Sequence, residues 1–288
     1  MKQRILLFLV VFALFASLSR AGDLVILPGV IELDHAESRQ HVLLQEKSED
    51  TFRGNVTGVE WTVDRTNVVE WVDGVLVPKG NGVATLTART KDGIATTEVR
   101  VNGYGEGFSW SFNRHVLPVL TRQGCNMGAC HGAVAGKGGF RLSLRGYDPP
   151  ADFYTLTREA RGRRIEMADP ARSLLLTKPT MATPHKGGKR LEVGSREYRI
   201  LAEWVAEGAS APGDEEVAIT HIEVMPDLSI LRKGDRQPLL VTAHYSDGTA
   251  MDVTDWAQFN SADEAVAIVD ETGVVEVIGY GEGAESPA

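Results

Sequence analysis

Cys125 and Cys130 are the only cysteines in this chain, and His131 follows the second of them directly. The signal for covalent haem c attachment is C-x-x-C-H, two thiols for the two haem vinyl groups and a histidine held under the iron. The stretch Cys125-Asn-Met-Gly-Ala-Cys130-His131 is that signal with two further residues between the thiols. The same thiols would also close a small disulfide loop in an oxidising compartment. A zinc site would need two more ligands at close spacing, and no second cysteine pair exists. An iron on His131 takes a Met or His on its opposite face, or is left open or water-bound. Met181 and His185 lie 50 and 54 residues beyond His131, in the loop before the last helical segment. Met167 reads as a filler of a hydrophobic gap, and His115 as a surface or capping side chain. His35, His41, His221 and His244 fall in β-patterned regions and have no claim on this site.

The residues around the motif must position it. Val116, Leu117, Val119 and Leu120 form a short helix-like run, interrupted by Pro118, that leads into the cysteines. Residues 132–139 are glycine-rich. Phe140, Leu142 and Leu144 alternate with Arg141, Ser143 and Arg145, which predicts a strand or hairpin. Ser195 is a candidate N-cap, and Tyr198, Leu201, Trp204 and Val205 share one helical face that ends at Gly208. From Tyr104 to Pro212 there are 16 Lys and Arg against 10 Asp and Glu, while the whole chain carries −9. A locally basic module therefore sits between acidic ones. Arg161, Arg163, Arg164, Lys186, Lys189 and Arg190 have two readings: partners for haem propionates or an acidic redox protein, or a solvated basic face.

The flanks repeat one another. Leu27-Pro28 matches Met225-Pro226, and Arg39 to Leu44 matches Arg236 to Val241. Val56-Thr57 matches Val253-Thr254, Val68 to Gly74 matches Ala265 to Gly273, and Gly80-Asn81-Gly82 matches Gly281-Glu282-Gly283. Both copies show short β-branched runs between Asp, Asn and Gly turn signals, the pattern of a β-sandwich. In the first, Ala84, Leu86 and Ala88 alternate with polar residues, Asp92-Gly93 marks a hairpin turn through the positive φ that glycine tolerates, and Thr97, Val99 and Val101 return. The second copy stops soon after Gly283 and is expected to lack its last hairpin.

On these residues, with an aromatic (Trp61, Phe259) ahead of the V-x-x-V-D segment and a closing G-x-G, the repeats resemble the bacterial Ig-like domain, group 2. The central segment resembles the planctomycete-type cytochrome c domain in its C-N-x-G-A-C-H-G variant. The matching residues are Cys125-Asn126, Gly128 to Gly132, Gly138 to Leu144, Arg161 to Arg164, Ser173 to Leu176, Pro184 to Gly188 and the helix from Tyr198 to Ala209. That resemblance implies one covalent haem c and electron transfer. Cys125 and Cys130 would be the thioether residues, His131 the proximal ligand, and His185, in preference to Met181, the distal one.

The expected fold class is multidomain: an all-β Ig-like sandwich (22–103), a mainly α cytochrome c-like haem domain (104–212), and a second, C-terminally incomplete Ig-like β-sandwich (213–288). Residues 1–21 read as a secretory signal, with Lys2 and Arg4 ahead of an apolar run and Ser19-Arg20-Ala21 at the cleavage site. No second apolar stretch follows that would span a membrane. The mature chain is expected in the periplasm or at the cell surface. Hydrophobic content of 43% and charged content of 24% are those of a globular protein, and the acidic balance argues against nucleic acid as a partner. The first functional reading is an electron carrier, not an enzyme, with a redox partner and surface or polysaccharide contacts through its Ig-like modules. The alternatives are a non-redox surface scaffold or adhesion protein with a Cys125–Cys130 disulfide, and an N-terminal fragment of a larger exported enzyme.

Overall fold

The computed structural model describes residues 22–213, 217–283 and 285–287. The signal-peptide stretch 1–21 lies outside the described residues. Ten strands come first: β1 (Asp23–Leu27), β2 (Ile31–Leu33), β3 (Gln40–His41), β4 (Leu43–Ser48), β5 (Thr51–Asn55), β6 (Glu60–Val63), β7 (Val69–Val72), β8 (Val75–Pro78), β9 (Gly82–Arg89) and β10 (Ile94–Val101). They form three sheets, ordered β1-β4-β5, β2-β10-β9-β6 and β3-β8-β7. Ile26 and Leu44 from the first, Leu33, Leu86 and Val99 from the second and Val69 and Leu76 from the third meet in one core. The period-two alternation of β9 is what buries Ala84, Leu86 and Ala88 together. The hairpin between β9 and β10 forms where Asp92-Gly93 predicts it, but by another device. Thr90 closes the turn, its hydroxyl accepting from the N–H groups of Asp92 and Gly93, and Gly93 is not among the glycines with positive φ.

The central segment holds α1 (Leu117–Arg122), α2 (Pro149–Thr157), α3 (Leu174–Thr177) and α4 (Arg196–Ala206). Here the expected fold class is corrected. The described residues are 31% strand and 19% helix, their helices are small, and no cytochrome c-like mainly α domain is evident among them. Residues that cannot continue a helix explain the shortfall. Gly124 turns the chain at φ 72° just past α1, and Pro170, Pro179 and Pro184 punctuate the run between α2 and α4. Residues 140–144 form no strand either, only an isolated bridge from Lys137 to Phe140. Ser143 gives both its N–H and its hydroxyl to the Asp152 carboxylate on α2, which ties this stretch to a helix instead of a sheet. The helix over 196–206 forms as predicted: Ser195 Oγ accepts from Tyr198 N–H, and Leu201, Trp204 and Val205 are buried with Ile200. They pack with Trp110, Phe112, Leu120 and Leu176. Met167 is 49% exposed and fills no gap, whereas His115 is buried and its Nδ1 accepts from Ser111 N–H.

The remaining strands are β11 (Ile219–Met225), β12 (Arg236–Pro238), β13 (Leu240–Tyr245), β14 (Ala250–Asp252), β15 (Phe259–Ser261), β16 (Ala267–Val269), β17 (Val274–Val277) and β18 (Glu285–Pro287). Their sheets, β11-β13-β14, β12-β17-β16 and β15-β18, repeat the orders β1-β4-β5, β3-β8-β7 and β6-β9. Where β9 runs for eight residues and pairs on with β10, the described part of β18 has three.

The two β regions touch. Phe52 exchanges backbone hydrogen bonds with Leu228 and Ile230 and packs with Leu27 and Leu240. His41 reaches across as well. Its Nδ1 is 2.9 Å from Asp252 Oδ2 and its Nε2 3.4 Å from Asp255 Oδ1, and its N–H donates to Asp252 at 2.6 Å. Burial disfavours the charged ring, but the two carboxylates overcome it and push the His41 pKa to about 10. The folded-state pKa lies above the unfolded value of about 6.5. The stabilisation is therefore complete below pH 6.5 and is lost as pH rises through 10. His41→Gln should cost about 1.5–3 kcal/mol at pH 6, the worth of a hydrogen bond to a charged group. Denaturant midpoints of the two proteins should converge above pH 10. A gap that persists there would show that packing, not charge, carries the contact.

Candidate functional site

The sequence motif folds into a tight coil directly after α1. Cys125 N–H donates to Leu120 O, Cys130 N–H to Met127 O and His131 N–H to Cys125 O, each at 2.9 Å. The first cysteine and the histidine are thus brought together through their backbones despite the long spacer. Gly132 makes the coil possible, since a Cβ there would lie 2.0 Å from Asn126 O. Asn126 is fully buried; its amide donates to Thr121 Oγ1, and its Oδ1 has no partner. Both cysteines are free thiols. Burial, and behind it the neighbouring Cys130, push the Cys125 thiol up to about 12, so it stays protonated at neutral pH.

His131 is held by the loop that follows. Its Nδ1 lies 3.1 Å from the carbonyl oxygen of Phe140, whose ring packs at 4.4 Å from the imidazole. Arg164 fixes that loop. Its guanidinium lies over the Phe140 ring, donates to Gly139 O and Thr155 O, and pairs with Glu159. Burial lowers the His131 pKa, outweighing the Phe140 carbonyl, and the nearby Arg164 guanidinium lowers it further. The ring is therefore neutral at pH 7. A neutral ring that donates from Nδ1 carries its lone pair on Nε2.

His185 is held in the same way by its own loop. The loop 178–191 is closed by Arg190 and Leu191 N–H groups on Pro179 O, and Lys178 Nζ donates to Pro184 O. His185 Nδ1 lies 2.8 Å from Gly188 O, so that in a neutral ring Nδ1 would be the donor and Nε2 the free acceptor. The two imidazoles are 10° from parallel, with ring centres 6.3 Å apart. Met181 lies on the same loop but is 45% exposed, and its backbone is left-handed at φ 65°. The geometry brings His131 and His185 together and leaves Met181 on the surface. Arg161, Arg163, Lys186, Lys189 and Arg190 are exposed, while Arg164 is buried as a structural strut.

A haem iron can be tested against this arrangement. Two imidazoles bound head-on to one metal at about 2 Å each hold their ring centres roughly 6 Å apart, close to the spacing here. Each carries the backbone acceptor on Nδ1 that metal-bound histidines usually have. Among the described residues no group of three or more His, Cys, Asp or Glu is placed to hold a metal ion. Two imidazoles and two free thiols are the donor set that would hold a haem, whose iron brings further ligands of its own. The residues fit the group.

Sequence reasoning missed the Phe140 and Gly188 carbonyls, the Arg164 strut and Gly187. The last had a signal in the Gly187-Gly188 pair. A Cβ on Gly187 would lie 2.7 Å from His185 Cε1 and 3.0 Å from Nε2. Gly187→Ala should leave the fold intact, at a cost of about 1 kcal/mol, but push the ring off its Gly188 acceptor. The imidazole nitrogen resonances of His185 should then lose their fixed tautomer. Unchanged resonances would mean that the loop, not the ring, gives way.

Neither a family model nor any curated protein matches the chain.

Proposed function

We propose that this chain is an exported electron-transfer protein that carries one covalent haem c. The observation that carries the reading is the parallel pair of His131 and His185, each tied by Nδ1 to a backbone carbonyl, beside the two free thiols of Cys125 and Cys130. The resemblance of the C-N-x-G-A-C-H-G stretch to planctomycete-type cytochrome c sequences points the same way. The reading rests on the site and not on a cytochrome c fold.

Cys125 and Cys130 would hold the haem through thioethers, and His131 and His185 would hold its iron through Nε2. When bound, the haem supplies one-electron exchange between ferric and ferrous iron. The chain does the rest. The carbonyls of Phe140 and Gly188 orient the imidazoles and raise their basicity. The apolar cluster of Leu120, Leu142, Leu176 and Leu191 backs the coil. Exposed Lys137, Lys186 and Lys189 give the site a basic rim that would attract an acidic redox partner and raise its on-rate at low salt. The flanking β regions are read as Ig-like surface modules, suited to contact with the cell surface or a polysaccharide, and residues 1–21 as the export signal.

The deciding experiment is expression of the full chain in cells with a c-type maturation system, followed by denaturing electrophoresis and haem staining. Haem should travel with the denatured polypeptide. A colourless band from correctly exported protein would end the proposal.

A further inference from the structure

A second site lies away from the cysteines, in a cavity of about 330 Å³ between the first β region, the start of α4 and strand β14. Its wall carries two guanidinium groups that have no carboxylate within 4 Å among the described residues. Arg196 lies largely buried over the Trp256 ring; its Nε has no partner, and its Nη2 makes one long contact, 3.3 Å, with Glu37 O. Arg39 spends one Nη1–H on Ser38 O at 2.7 Å. Burial draws both below the ordinary arginine pKa, and the Arg39 charge adds to this at Arg196. Partly buried guanidinium groups with no carboxylate in salt-bridge reach are suited to a bound anion.

Most of the other charged groups at this cavity have partners, Asp34 among them with His35 Nε2 at 3.4 Å. Glu37 pairs with Arg199, Asp252 with His41, and Arg114 with Asp247. Buried His115 accepts from Ser111 N–H at Nδ1, and burial takes its pKa down to about 3, so it is neutral with its proton on Nε2. Asp34 accepts from Ser38 Oγ at 2.7 Å, and Glu32 stands exposed at the rim. Those acidic groups would repel a phosphate or any other polyanion but accept hydrogen bonds from hydroxyl groups. The volume is that of a small-ligand pocket.

We propose that this cavity binds a hydroxylated monocarboxylate, the chemical class of the sugar acids, with its carboxylate on Arg196 and Arg39 and its hydroxyl groups toward Asp34, Glu32 and the Ser109 and Ser111 hydroxyls. The site is independent of the haem reading, because none of its residues belongs to the cysteine coil or the His185 loop.

Isothermal titration of the full exported chain with glucuronate, glucose and inorganic phosphate tests it. Glucuronate should bind one to one, and glucose at least tenfold more weakly. Arg196→Gln and Arg39→Gln should each weaken glucuronate binding on the order of 10- to 100-fold, the loss of a charge-assisted hydrogen bond. Thermal melts guard against misfolding, and Arg196→Lys, which keeps the charge but not the planar fork, should bind at an intermediate level. The proposal is overturned if glucuronate gives no saturable heat, if glucose or phosphate binds as well, or if folded Arg196→Gln and Arg39→Gln bind like the parent.

Discussion

Cys125→Ala with Cys130→Ala should give an exported, folded protein from which all haem separates on denaturation, where the parent chain retains one haem per polypeptide. The expected change is complete, because no other cysteine exists to form a thioether. Folding should survive the change. The coil from Cys125 to His131 is closed by backbone hydrogen bonds that do not use the thiols, and each Cys→Ala removes a single sulfur, a loss on the order of 1 kcal/mol. Single variants should keep haem on one thioether in reduced yield. The Cys125 thiol, protonated at neutral pH with its pKa pushed to about 12 by burial, has little nucleophilicity of its own. Attachment should therefore depend on the maturation machinery and fail in a host without it. Haem-free parent protein from a competent host would sink the idea. A double variant that still held denaturation-resistant haem would move the attachment to another residue type.

The β regions were legible because their information is local and periodic. Alternation put Ala84, Leu86 and Ala88 on one face, and the repeated landmarks around Trp61 and Phe259 marked two copies of one pattern, whose sheet orders match, as β11-β13-β14 does β1-β4-β5. The helix from Arg196 to Ala206 was legible for the same reason, through its Ser195 cap and its apolar face. The central segment was not. An alternating run such as Phe140-Arg-Leu-Ser-Leu144 looks like a strand until a carboxylate elsewhere takes the backbone, as Asp152 does at Ser143. A sequence of helix-compatible stretches does not sum to a mainly α domain when glycine and proline cut each one short. At the candidate site, the types of the side chains showed in the sequence, but their partners did not. The acceptors that orient His131 and His185 are main-chain oxygens of Phe140 and Gly188, and a carbonyl leaves no mark in the residue alphabet. His41, set aside because it lies in a β region, turns out to be a charged bridge, and His115, read as a surface or capping side chain, is buried and accepts from the N–H of the N-cap residue Ser111.

The second large effect concerns the opposite face of the iron. His185→Ala should convert the ferric haem from low to high spin and raise its reduction potential, while Met181→Leu should change neither. The structure separates the two candidates by orientation. His185 stands nearly parallel to His131 with its Nδ1 held by Gly188 O, whereas the Met181 side chain is 45% exposed. Bringing Met181 inward would require rebuilding a backbone that sits at φ 65° and is pinned by Met181 N–H on Lys178 O at 3.0 Å. Two imidazoles stabilise ferric iron better than imidazole with a thioether, so the parent should have a lower potential than a His–Met cytochrome. The shift in His185→Ala should be on the order of 0.1 V, a fraction of the roughly 0.8 V that axial ligands span. Exogenous imidazole should restore low spin in His185→Ala by filling the cavity left by the ring. A methionine–iron charge-transfer band in the parent ferric spectrum that vanishes in Met181→Leu would assign the distal position to Met181 and leave His185 as a loop histidine held by Gly188.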